Sequence, residues 1–239
     1  MTAIADLRNQ PRLEVSIAPQ RYNATAMNLD QMMHVIAVST VKGRGWSFPY
    51  AEENSIIVGP GMKYIGGELN FTTFVSHLEE WRLYPSGQFL FRMRPWEIPD
   101  QEWQRKTRER LESRGRQVSA DVIGFLAFDL LLFSVTEAYI FASRLAEAVP
   151  YDTAVNVHAG LRGVKGYALA SREPDRALYQ PYTSPIDNPH DDATWSLDVL
   201  IANPKGAASS ALINLYRQFR WTNPPAPETI AQHQLEYYR

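Results

Sequence analysis

The sequence predicts an α+β fold, with mainly antiparallel strands packed around one long apolar helix. Three observations carry that prediction. Short runs of alternating apolar and polar residues, bounded by Gly and Pro, occur in both the first and the last third of the chain. An apolar stretch from Val118 to Val149 separates them and has helical length. No strict strand–helix alternation points to a doubly wound sheet, and no repeat of solenoid or propeller period is present.

The elements follow in order. Leu13, Val15 and Ile17 alternate with Glu14 and Ser16, which predicts a strand over Leu13–Ala18 ended by Pro19. Asn28 is placed to cap a helix over Leu29–Thr40, with Leu29, Met32, Met33, Ile36 and Val38 as its apolar face. Lys42 to Gly45 reads as a turn, and Trp46 to Tyr50 as extended chain, because Phe48 precedes a proline. Residues 55–75 read as strands, with Gly66-Gly67 as a turn between two of them. Ser76 and Glu79 stand at capping-box spacing and predict a short helix to Trp81. Arg82–Tyr84 and Gln88–Met93 form a hairpin around Pro85-Ser86-Gly87.

Asp100–Arg116 is a charged helix, and the long apolar helix runs from about Ser119 to Ala148. Strands return at Ala154–Leu161, Lys165–Ala170 and Thr194–Ala202, with a Pro-rich loop over Arg172–Asp192. A helix over Ala208–Phe219 precedes a Pro-rich segment and a polar tail. Residues 1–239 are expected to form a single domain, with a sub-boundary near 117 that the apolar helix bridges.

Composition removes several classes of function. The chain has no cysteine, so it has no disulfide, no thiol nucleophile and no Cys-type zinc site. Its formal net charge is −2, which argues against a generally basic nucleic-acid coat. Asp121, Asp129 and Glu137 interrupt the apolar stretch, and carboxylates at those positions oppose insertion in a membrane. The N-terminus carries no apolar core of signal-peptide length. A cytoplasmic protein with no membrane partner and no cofactor is expected.

Segment 76–96 concentrates His77, Glu79, Glu80, Arg82, Tyr84 and Ser86 among aromatic residues. A polar pocket is one reading, with His77 as acid or base, Glu79 or Glu80 orienting it, and Arg82 clamping an anion. The other is structural, with Glu79 capping a helix and Trp81, Leu83, Phe89 and Phe91 in the core. Lys42-Gly43-Arg44-Gly45-Trp46 could offer backbone amides to an anion, but it lacks the P-loop pattern and also reads as a plain turn. From Arg82 to Arg116, nine basic residues face five acidic ones, so the near-neutral total hides a local excess of four positive charges. Arg92, Arg94, Arg105, Lys106, Arg108 and Arg110 are the candidates for phosphate contacts there, against a solvated helix face with i,i+4 pairs. The five histidines form no HxH or HxxxH pair, and His190-Asp191-Asp192 falls in the Pro-rich loop, where it reads as a surface turn.

Arg44-Gly-Trp-Ser-Phe-Pro-Tyr50, followed by His77-Leu-Glu-Glu-Trp-Arg-Leu-Tyr-Pro-Ser-Gly-Gln-Phe89, resembles the C-terminal region of the prokaryotic Schlafen/AlbA-type proteins, a group named for DNA or ATP binding. The resemblance covers 50 to 90 residues at most and thins out after about residue 150. The resemblance does not extend to the AlbA domain, which is expected to be absent, and no catalytic residue carries over. The resemblance implies a bacterial accessory or sensor module, working in regulation or in defence against phage beside a catalytic partner.

The expected function is therefore a non-catalytic module that binds a partner protein, a second copy of itself or a small anionic ligand. Its contacts are Arg44, Trp46, Phe48, His77, Trp81, Arg82, Tyr84 and Ser86. Two alternatives stand beside it. One is nucleic-acid binding through the basic segment 92–116, and the other is a hydrolase that uses His77 with Glu79 or Glu80.

Overall fold

The structure, a computed structural model, describes residues 7–22, 27–43, 46–52, 55–71, 77–149, 151–173, 178 and 180–237. Alternation builds its first strand, β1 (Arg12–Pro19), which buries Leu13, Val15 and Ile17 and leaves Arg12, Glu14 and Ser16 on the other face. Helix α1 (Leu29–Ser39) begins at Asn28, which closes a full capping box with Gln31. It buries Met32, Val35 and Ile36, whereas Val38 points to solvent. Strands β2 (Val41–Lys42) and β3 (Ser47–Phe48) form a short hairpin, and β4 (Ile56–Val58) leads into β5 (Ile65–Phe71).

Strands β6 (His77–Leu83) and β7 (Phe89–Met93) form the expected hairpin, which Gly87 closes at φ +82° with its amide donating to the Tyr84 carbonyl. Two expectations fail in this region. Gly66-Gly67 is no turn but lies inside β5, opposite Arg82 and Trp81. A Cβ on Gly67 would collide with the Trp81 indole, and one on Gly66 would stand 2.6 Å from the Trp81 carbonyl oxygen. These glycines let two strands close over a tryptophan. His77 to Trp81 is strand instead of helix, and Ser76 lies outside the described residues. Glu79 does not cap its own segment but accepts the Tyr50 amide at 2.8 Å.

Helix α2 (Gln101–Ser113) starts at Asp100, whose carboxylate accepts the Trp103 amide. The long apolar helix is shorter than expected. Residues 119–123 are irregular chain with a turn at 120–121, β8 (Gly124–Ala127) is a strand, and α3 covers Phe128–Ala148. β8 is buried at all four positions, and a short, fully buried apolar run has no period that separates strand from helix. Nor do Asp121, Asp129 and Glu137 mark a solvent stripe. Asp121 is not helical, and both Asp129 and Glu137 are buried.

The remaining elements are β9 (Ala154–Arg162), β10 (Tyr167–Ala170), β11 (Tyr182–Thr183), β12 (His190–Ser196), α4 (Leu197–Ala202), α5 (Pro204–Gln218) and α6 (Pro227–Tyr237). The predicted last strand thus becomes helical at Leu197, and β12 begins inside the segment read as a loop. The polar tail is a docked helix that buries Ile230 and Gln234, whose amide donates to Thr136 Oγ1 at 3.0 Å.

Seven strands form one sheet in the order β12-β9-β1-β7-β6-β5-β4, antiparallel at every pairing. A smaller sheet, β11-β10-β8, pairs β10 parallel to β8. The molecule is therefore α+β with a large antiparallel sheet and six α-helices among the described residues, and the single long apolar helix expected from about Ser119 to Ala148 is instead β8 followed by α3. One face of the large sheet meets α3, where Phe141 packs on Phe48 and Phe89 with ring centroids 5.9 and 4.5 Å apart. α3 also packs against α1, α5 and α6. The opposite face of the sheet is polar and partly exposed, and it holds the candidate site.

Candidate functional site at the open face of the sheet

Strand alternation sorts the expected contact residues onto two faces. His77, Glu79, Trp81 and Leu83 point toward the helices, whereas Glu80 and Arg82 point to the open face. On the helix side, His77 Nε2 lies 2.6 Å from Glu79 Oε2, and the Trp81 indole donates to the Tyr50 carbonyl at 2.8 Å. The His77 ring packs near Trp46 and Trp96, at 6.0 and 5.7 Å between centroids. Phe48 and the Trp81 side chain are buried in the core, and Trp81 also borders the groove on the open face. Ser86 is buried in the hairpin turn, where its Oγ accepts the Gln88 amide. Arg44 lies outside the described residues.

The His77–Glu79 pair is thus enclosed. Glu80, on the opposite face of its strand, cannot orient His77. Trp46 lines an open groove of about 750 Å³ together with Lys42, Ser47, Tyr50 and Glu52, where one cation and one carboxylate balance.

The basic segment also divides. Arg92 lies on the open face of β7, and Arg94 follows that strand, where its guanidinium donates to Gln10 Oε1. The four basic residues on α2 are engaged locally. Arg105 pairs with Glu109 and Lys106 with Glu102, each at 2.6 Å. Arg108 donates to the Val122 carbonyl and lies over the Phe125 ring, and Arg110 donates to the Ser171 carbonyl.

The open face gathers side chains from distant parts of the chain. Glu14 on β1 stands opposite Arg92 on β7, which stands opposite Glu80 on β6. Three arginines reach Glu14 through Nε, namely Arg12 at 2.8 Å, Arg92 at 3.0 Å and Arg162 at 2.9 Å. Arg92 Nη1 also donates to Glu80 Oε1 at 2.6 Å. Arg82 Nη2 lies 3.8 Å from Glu80 Oε2, with its guanidinium 4.9 Å from the centre of the Tyr64 ring. Arg8, Arg12, Arg82, Arg92, Glu80 and Leu90 line a groove of about 250 Å³ there.

The charges are mutually adjusted. Burial pushes the Glu14 carboxyl up, but hydrogen bonds from Arg12 and Arg162, with the charges of Arg12 and Arg92, outweigh it and hold the group below its ordinary range. Burial pulls Arg92 down, and its contacts with Glu80 and Glu14 raise it overall. Sequence reasoning singled out Arg82 and Arg92 but missed Arg8, Arg12, Glu14 and Arg162. The signal available was small: Arg12 and Glu14 occupy the polar phase of the first strand.

A second cluster lies at the far end of the same face. His158 Nδ1 stands 2.6 Å from Asp192 Oδ1, and His190 Nε2 stands 3.3 Å from Asp192 Oδ2. The two imidazoles stack at 5.5 Å between centroids. The His190–Asp192 motif, read from sequence as a loop turn, is an edge strand that pairs with β9. Among the described residues, no three His, Asp or Glu side chains are placed to hold a metal ion, and no helix is long and apolar enough to cross a membrane. Comparison with protein-family models, with curated proteins and with solved structures finds no match to the chain.

Proposed function

We propose that this chain is a non-catalytic binding module that takes a small anionic ligand in the arginine groove on the open face of its large sheet. The observation that carries this reading is the groove itself, about 250 Å³ with four guanidinium groups and one carboxylate on its walls. Arginine presents a planar fork of donors that stays charged at any physiological pH, which suits recognition of carboxylate or phosphate. The concave shape favours a small molecule over an extended protein surface. Segment 44–96, which carries the Schlafen/AlbA-type resemblance, contributes Glu80, Arg82 and Arg92, and this fits an accessory or sensor role beside a catalytic partner.

Arg82 is the residue to test, because its head group is partly exposed and rests on Tyr64. Arg82→Ala should weaken anion binding by about tenfold or more, the loss of one charge-assisted contact. The melting temperature without ligand should stay nearly unchanged. Titration calorimetry with inorganic phosphate, pyrophosphate and citrate, beside thermal melts of both proteins, measures this. Equal loss of fold and binding would remove the site assignment. Tight binding of single-stranded DNA or RNA that falls steeply with salt would assign the face to nucleic acid instead.

A further inference from the structure

We infer that the groove is a phosphate site, that Glu14 is the positioning residue of Arg12 and Arg92 on its wall, and that the ligand is a phosphomonoester-type dianion, not a carboxylate. This inference rests on reading the groove as an anion site. Its own evidence is the way the guanidinium groups are held. Arg12, Arg92 and Arg162 come from three adjacent strands, and all three meet one carboxylate through Nε. An arginine bound at Nε keeps Nη donors for a second acceptor. Arg92 uses Nη1 on Glu80, and Arg12 uses Nη1 on the Arg8 carbonyl. One small carboxylate thus converts three mutually repelling cations into a fixed array.

Charge and geometry select the ligand. On this face Arg8, Arg12, Arg82, Arg92 and Arg162 outnumber Glu14, Glu80 and Glu68, the last opposite Glu80 on β5, by two. A phosphomonoester carries about −1.5 to −2 charges at neutral pH and offers three acceptor oxygens. A carboxylate offers two oxygens, enough for a single bidentate arginine. Convergence of Arg8, Arg12, Arg82 and Arg92 on one groove therefore matches the phosphate and over-serves the carboxylate.

The decisive experiment exploits a difference of sign. Glu14→Gln keeps the shape and adds one unit of net positive charge. If bulk charge drives binding, the variant binds phosphate more tightly. If Glu14 positions the array, the variant binds about tenfold more weakly, and its preference for phosphate over malonate falls. Titration calorimetry of the full chain with inorganic phosphate, ribose 5-phosphate and malonate reads both quantities. Unchanged or tighter phosphate binding by Glu14→Gln overturns the positioning role. Malonate binding as tight as phosphate in the parent protein overturns the phosphate class, while the anion reading survives. No binding of any probe by the parent protein removes the anion reading and this inference together. A preference for ribose 5-phosphate over inorganic phosphate assigns the site to an organic phosphate, and equal binding assigns it to the free ion. Should Glu14→Gln fail to fold, Glu14→Asp tests the same claim, because it keeps the net charge but draws the carboxylate back from Arg12, Arg92 and Arg162; weaker phosphate binding is the expected result, and unchanged binding overturns the positioning role.

Discussion

Glu97 shows most clearly how one side chain in this protein is governed by its surroundings. Its carboxyl is buried, with Oε1 accepting the Ala127 amide at 2.7 Å and Oε2 without a hydrogen bond. Burial pushes the group up from 4.5 to about 7, with the nearby Asp129 adding to the effect. The native protein therefore holds a proton that the unfolded chain releases. That contribution to stability is complete below pH 4.5 and is lost as pH rises through about 7. The slope inside this window is about 1.4 kcal/mol per pH unit. Glu97→Gln mimics the protonated acid and should flatten the pH dependence. Urea unfolding of both proteins across the window measures it, and identical slopes would show that Glu97 does not titrate there. The neighbouring Asp129 accepts the Arg172 amide at 3.0 Å and the Ser171 hydroxyl at 3.3 Å.

At the level of elements, β5 and β6 depend on each other. The glycines of β5 are depleted residues for a strand, and they occur here because Trp81 needs their space. Gly67→Ala should cost about 1–3 kcal/mol through overpacking against the indole. A midpoint shift in urea unfolding reports it, and a neutral substitution would mean that the sheet opens without strain at this place. The same interlock explains why Ser76 and Glu79 misread as a capping box. Spacing identifies a residue able to cap, but the acceptor went to the Tyr50 amide, 29 residues away in sequence. The tail helix α6 is a parallel case. Its sequence is polar overall, yet it buries Ile230 and Gln234 against the rest of the fold.

At the level of the whole molecule, the apolar core is largely one cluster that runs from Leu13 to Ile230 and includes most of α3. A smaller cluster of Leu111, Val122, Phe125, Ala168 and Ala170 lies between α2 and the three-stranded sheet. Both sides of the sub-boundary expected near 117 contribute to the large cluster. The chain should therefore unfold in a single cooperative transition, with calorimetric and van't Hoff enthalpies in agreement. Two resolved transitions would show that the parts before and after this point are energetically separate. The strand order also places β1 in the interior of the large sheet, between β9 and β7. That position lets Glu14 collect arginines from its own strand and from both neighbours.

Local signals in the sequence were enough to determine β1, α1 with its Asn28 cap, the Pro-Ser-Gly turn with the strand residues beside it, and the helical character of α2, but not the first five residues of β6, which read as helix. In each, the signal lies within a few residues, either as alternation, a cap or a turn residue with the required φ. Arg82 and Arg92 were also legible as candidates, because cations set among aromatics are conspicuous. The tertiary structure decided the rest. It turned Gly66-Gly67 from a turn into a strand interior, cut the long helix at Phe128, and put His190 and Asp192 beside His158. It also separated His77 from Arg82 by a sheet and brought Glu14 to Arg92 and Arg162, partners 78 and 148 residues away. The physical reason is the same throughout. Local sequence carries the backbone preferences of a few neighbouring residues, whereas the partner of a buried charge, and the face of the sheet on which it lies, depend on strand order and register.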